Sequence, residues 1–85
     1  MLILDFYADW CGPCKVLTPV LEELEKAYPK IEFKRINVDD EPLEAQKYDI
    51  MSIPTLVFLK DGKETKRTIG SVSKTSIEAI INEDS

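Results

Sequence analysis

Two cysteines, Cys11 and Cys14, stand with only Gly12 and Pro13 between them, and the chain holds no other thiol and no histidine. A thiolate is both a nucleophile and a metal ligand, so the pair admits few chemistries. Secreted mini-proteins stapled by disulfides normally carry four or more cysteines. A structural zinc site wants four ligands, usually Cys or His. Here zinc would need carboxylates or a second subunit. What remains is a redox pair. Two intervening residues let the sulfurs close a small ring. Cys11 can attack a substrate disulfide, and Cys14 can then attack the mixed disulfide and release product.

Such chemistry depends on what holds the first sulfur. Residues 2–8 form a short apolar run that reads as a buried strand of a parallel sheet. From Pro13 to Tyr28, the apolar residues Val16, Leu17, Val20, Leu21, Leu24 and Ala27 recur at helical spacing. Pro13 suits the first helical position and Pro29 marks the end. Cys11 is thus expected between a strand and a helix N-terminus, where unpaired N–H groups and the positive dipole end stabilise a thiolate. Its sulfur is expected to be open to water. Pro19 falls inside the helix, where proline costs roughly 3 kcal/mol, and predicts a kink.

Residues 31–38 read as a second strand. The alternation shifts phase between Phe33 and Ile36 and leaves Arg35 on the face of Ile31 and Phe33. Acids followed by Pro42 open a short helix over residues 42–48. A third strand covers residues 55–59, and Asp61-Gly62 is a two-residue hairpin signal into a charged strand over residues 63–69. Ser73 or Thr75 could cap a final helix with Ile77, Ile80 and Ile81 inward, Thr75 forming a capping box with Glu78. The order strand, helix, strand, helix, strand, strand, helix asks for a parallel pair with a crossover, then an antiparallel hairpin. This is an α/β fold, read as one domain over residues 1–85.

Composition narrows the function classes. With 44% hydrophobic and 32% charged residues, the chain is too apolar for a disordered segment. A formal charge of -5 repels phosphate backbones, which argues against nucleic acid. The short basic cluster Lys63, Lys66 and Arg67 is interrupted by Glu64 and reads as a solvated strand face. No run approaches the ~20 apolar residues of a membrane span. No targeting signal is visible, so a cytoplasmic location is the default expectation.

The segment Trp10-Cys11-Gly12-Pro13-Cys14-Lys15 resembles the active-site signature of the thioredoxin family. Further matches follow in order across essentially the whole chain: Pro19 at the helix kink, Ile53-Pro54-Thr55 at the cis-proline loop, Asp61-Gly62 at the hairpin and Gly70 after the last strand. The resemblance implies a minimal thioredoxin-like fold, a four-stranded mixed sheet flanked by three helices, with strand order second, first, third, fourth. Relatives usually carry one more strand and helix ahead of the segment beginning at Met1. Without them the strand over residues 31–38 is expected at an edge. The chain is expected to be a monomer with that edge open to self-association. Asp49 stands where the family commonly has glycine, a mild departure because Asp tolerates a left-handed backbone.

Asp5 is a carboxylate inside an apolar strand, and burial should raise its pKa. The resemblance implies that it is the family's buried aspartate, which exchanges a proton with Cys14 directly or through water. Arg35 matches the place of a lysine near that aspartate and would stay charged, although Lys34 competes for the position. Pro54 read alone is a strand-entry proline, most often trans. The resemblance implies a cis bond packed against the cysteines, with the backbone before it pairing to an extended substrate. Trp10, Gly12, Pro13, Ile53, Pro54 and Gly70 would then form a flat apolar patch around Cys11, while Phe6 and Tyr7 read as core.

The function implied is general disulfide reduction, with no cofactor beyond the Cys11–Cys14 couple. Its partners would be disulfide-containing proteins and a separate flavin-dependent or iron–sulfur electron donor of the thioredoxin-reductase type. Three alternatives stay open. A glutaredoxin-like reductase suits the short length but not the Gly-Pro pair. Oxidases and isomerases of this kind usually place a histidine between the cysteines. A non-catalytic binding or assembly subunit would use the apolar patch and not the thiols.

Overall fold

The structure, a computed structural model, describes residues 1–83, so the last two residues of the expected domain lie outside the described residues. Its elements run β1 (Leu2–Tyr7), α1 (Gly12–Ala27), β2 (Glu32–Asn37), α2 (Pro42–Lys47), β3 (Thr55–Lys60), β4 (Lys63–Ile69) and α3 (Lys74–Glu83). The four strands form one mixed sheet in the order β2-β1-β3-β4, the order the resemblance implies. β1 lies parallel to β2 and antiparallel to β3, and β3 lies antiparallel to β4.

Alternation along the strands divides the side chains between two faces. Ile3, Leu56 and Phe58 meet Leu17, Leu21 and Leu24 of α1 and Ile77, Ile80 and Ile81 of α3. Leu4, Phe6, Val57 and Leu59 take the opposite face with Ile36, covered by Ala45 and Tyr48 at α2. Each fully buried leucine of α1 contributes roughly 2 kcal/mol of burial. By the same alternation Asp5 points to the α1 face, between Ile3 and Tyr7. On β2 the phase shift seen in the sequence resolves cleanly: Phe33 packs toward α1 and Ile36 toward α2.

α1 continues through Pro19, whose missing N–H removes one intrahelical bond without ending the element. Two local expectations change. α3 is capped by Ser73, not Thr75: the Ser73 hydroxyl accepts the N–H of Ser76 at 3.1 Å. Thr75 lies inside α3 and forms no capping box with Glu78, whose carboxylate instead accepts the Tyr28 hydroxyl at 3.0 Å and ties α3 to the end of α1. In the basic cluster, Arg67 is not simply solvated. It grips Glu64 through two bonds of 2.6 and 2.7 Å and donates to the Tyr48 carbonyl at 2.9 Å.

Asp61 and Gly62 both adopt positive φ, 53° and 80°, the combination that matches a tight turn to the twist of β3 and β4. Asp49 also lies in the left-handed region, at φ 52°. Among the described residues no helix is long and apolar enough to cross a membrane.

Candidate active site at the start of the first helix

β1 ends against the buried Ala8, and a turn closed by the Cys11 N–H on the Ala8 carbonyl, 3.2 Å, delivers the chain to α1. Cys11 is the N-cap of that helix, with extended backbone at φ -87° and ψ 110°. Its Sγ accepts the backbone N–H of Cys14 at 3.2 Å. Capping positions usually hold an oxygen acceptor; here a sulfur takes the role, at the positive end of a 16-residue helix. Cys11 and Cys14 are joined by a disulfide, their Cα atoms 5.3 Å apart.

The expectation of an open sulfur is corrected. Cys11 is 4% exposed and Cys14 5%. In the oxidised form both sit among Ala8, Tyr7, Val38 and Ile53. Gly12 and Pro13 lie exposed in the first turn beside them.

The Ile53–Pro54 peptide bond is cis. Pro54 itself is buried rather than part of a surface patch; its carbonyl accepts the Gly70 N–H at 2.8 Å. Gly70 makes that bond with φ 88°, a conformation that costs L-residues of other types about 1–2 kcal/mol. Gly70 is half-buried and therefore holds the loop in place as well as flanking it. Thr55 supports the same loop, donating its hydroxyl to the Ser52 carbonyl at 2.7 Å.

The exposed apolar surface lies further toward α2. Trp10 is 71% exposed and Met51 93%. Together with Val38, Ala45, Ile50 and Ile53 they line an open pocket of about 410 Å³. The indole Nε1 of Trp10 donates to Asp39 Oδ2 at 2.9 Å, which fixes the ring at the pocket mouth.

Asp5 sits on the α1 face of β1, 5% exposed. Desolvation pushes its carboxyl up to about 6, with the Arg35 guanidinium pulling the other way. Asp5 Oδ1 has no hydrogen-bond partner among the described residues, while Oδ2 lies 3.5 Å from Arg35 Nε. Arg35 rather than Lys34 reaches it, because successive side chains of a strand point to opposite faces. The guanidinium also donates to Thr18 Oγ1 at 2.7 Å and lies 5.6 Å from the centroid of the Tyr7 ring. A smaller cleft of about 290 Å³ opens here, lined by Tyr7, Asp9, Cys14, Lys15, Thr18 and Arg35.

The fold thus gathers Cys11, Cys14 and Ile53 into one packed cluster, with Trp10 across the pocket. It pairs Asp5 with Arg35 beneath α1 and buries Pro54. Sequence reasoning missed Asp39 and Met51 at the pocket, Tyr7 under the guanidinium, and Thr18. Only Thr18 carried a local signal, one helical turn beyond Cys14. Among the described residues no group of three or more Cys, Asp or Glu could hold a metal ion.

Comparison with known proteins agrees with this geometry. The thioredoxin family model matches residues 1–83. A thioredoxin of Chlamydia caviae is 47% identical over 85 residues, covering 100% of this chain and 83% of the relative. A thioredoxin of Staphylococcus aureus is 42% identical over 81 residues, covering 94% of this chain and 78% of the relative. Among solved structures, the oxidised form of mitochondrial thioredoxin 3 from Saccharomyces cerevisiae superposes with a TM-score of 0.90 at 40% identity, over 96% of this chain and 76% of that one. Fasciola hepatica thioredoxin gives 0.91 at 40% identity, over 96% and 78%.

Proposed function

The chain belongs to the thioredoxin family and is a thiol–disulfide oxidoreductase, and from that premise we propose how its residues divide the work of protein-disulfide reduction. Cys11 is the nucleophile and Cys14 the resolving thiol. One observation carries this assignment: Cys11 Sγ is the acceptor that caps α1, receiving the Cys14 N–H at 3.2 Å. In the reduced protein the same N–H and the helix dipole favour the thiolate at Cys11.

The Cys11 thiolate attacks one sulfur of a substrate disulfide. A mixed disulfide forms, and the other substrate sulfur leaves as a thiolate that takes a proton from water. Cys14 then loses its proton to the Asp5 carboxylate, directly or through a water, and attacks Cys11 Sγ. The second substrate sulfur departs, and the Cys11–Cys14 disulfide closes. Two electrons pass from the dithiol to the substrate. A carboxyl raised to about 6 is matched to this task, since it can hold and release a proton near neutral pH.

Trp10, Ile53 and the pocket beside them receive an apolar side chain of the target protein. The backbone ahead of Pro54, braced by the Gly70 bond to its carbonyl, offers an edge to an extended segment. The chain carries the electrons and does not originate them, so an electron donor of the thioredoxin-reductase type recharges it. A reducing, cytoplasmic setting fits that direction of flow. Residues 1–85 act as one domain.

The test mixes reduced protein with insulin and dithiothreitol. The native chain accelerates disulfide cleavage, Cys11→Ser falls to the rate of dithiothreitol alone, and Cys14→Ser accumulates a covalent adduct through Cys11. An adduct formed instead through Cys14 in the Cys11→Ser variant would show that the two roles are reversed.

A further inference from the structure

Thr18 stands at a junction that the cysteine chemistry leaves unexplained. Its hydroxyl has one proton, and it gives that proton to the Cys14 carbonyl at 3.0 Å. Such bonding to the carbonyl one turn back is common for helical threonine. The remaining lone pairs of Oγ1 face β2, and there they accept Arg35 Nη2 at 2.7 Å. The same guanidinium turns Nε toward Asp5 Oδ2 at 3.5 Å. A continuous path therefore runs from the backbone of the resolving cysteine, through Thr18 and Arg35, to the buried carboxylate.

We propose that Thr18 is a positioning residue: its hydroxyl anchors the Arg35 guanidinium over Asp5 and ties that placement to the turn of α1 that carries Cys14. Arg35 needs such an anchor. Its side chain is 40% exposed and its ion pair with Asp5 is long. A flexible arginine in that situation gains little from the ion pair alone and loses rotamer freedom to keep it. The Tyr7 ring supports the guanidinium at 5.6 Å but does not set its position along the cleft. The Thr18 bond does, because α1 is rigid and Oγ1 is already oriented by the Cys14 carbonyl.

The groups around Asp5 leave Arg35 as the charge that matters. β3 offers the apolar Leu56 opposite Asp5. α1 offers Cys14, Thr18 and the exposed Lys15, and the β1–α1 turn offers Asp9, with Lys15 and Asp9 lining the cleft together with Tyr7. Arg35 is the charged group whose attraction lowers the Asp5 carboxyl against its desolvation. Without the Thr18 hydroxyl the guanidinium swings toward water, Asp5 loses its counter-charge, and its proton is held more tightly.

The experiment titrates the Asp5 side-chain carboxyl by carbon NMR in the oxidised protein, where neither cysteine titrates. It reads position and not turnover, so it stays informative even if the assignment of Asp5 as proton acceptor fails. Thr18→Val, which keeps the shape and removes the hydroxyl, should move the Asp5 midpoint up by about one unit. Thr18→Ser should restore the native midpoint. In an Arg35→Gln background, Thr18→Val should produce no further shift. If Thr18→Val misfolds, Thr18→Ala takes its place in the same comparison. An unmoved midpoint in the hydroxyl-free variant, or an equal shift with and without Arg35, overturns the proposal.

Discussion

Asp5 and Arg35 are direct register partners across the parallel β1–β2 ladder, with Nε 3.5 Å from Oδ2. One of the pair is buried and the other reaches it from an edge strand half in solvent. The contest between them is uneven: desolvation outweighs the attraction, and the carboxyl ends near 6 instead of 3.8. A buried carboxylate whose desolvation outweighs its ion pair is therefore a burden on the fold when ionised.

Stability should depend on pH in a defined direction. Because the folded value is raised, the native state holds its proton more tightly than the unfolded chain does. The Asp5 contribution to stability is fully present below pH 3.8 and is lost as pH rises through about 6. Two units correspond to about 3 kcal/mol as an upper bound. Asp5→Asn should thus gain up to about 3 kcal/mol at pH 8 and lose that advantage on acidification to roughly pH 4. Urea unfolding of the oxidised protein at both pH values checks this, and a constant difference between them would contradict it.

Trp10 should matter to large substrates and not to small ones. Its indole is held at the pocket mouth by Asp39 and exposes most of its area. Trp10→Ala should raise KM for insulin about tenfold, as expected for an aromatic contact worth roughly 1.4 kcal/mol. Reduction of a small aromatic disulfide should change little. Equal losses on both substrates would place the ring in the chemistry itself.

The two candidate caps of α3 can be separated. Ser73→Ala removes the hydroxyl that accepts the Ser76 N–H and should cost about 1 kcal/mol. Thr75→Ala should stay within about 0.5 kcal/mol of the native protein. Thermal unfolding of the two variants under identical conditions gives the comparison. A larger loss at Thr75 would restore the capping box with Glu78.

The chemistry of Cys11 and Cys14 was legible in the chain because it is local. Three residues of separation at a helix start bring the two sulfurs together whatever the rest does, and the proline and glycine positions announce where that helix and the final hairpin begin. The apolar periods likewise carried the element order and, with the family resemblance, the sheet order. Other features needed long-range pairing. Nothing within β2 says whether Arg35 or Lys34 meets Asp5; the ladder to β1 decides it, since a shift of one residue reverses the face. Ser73 and not Thr75 caps the last helix because that helix begins at Lys74, and Glu78 is engaged by Tyr28, 50 residues away. Pro54 left the surface, and Thr18 became a link between two strands and a helix, only once the sheet and α1 had closed on each other. Backbone spacing sets which neighbours a residue has along the chain, whereas burial and charge pairing depend on which face and which partner the packed layers present.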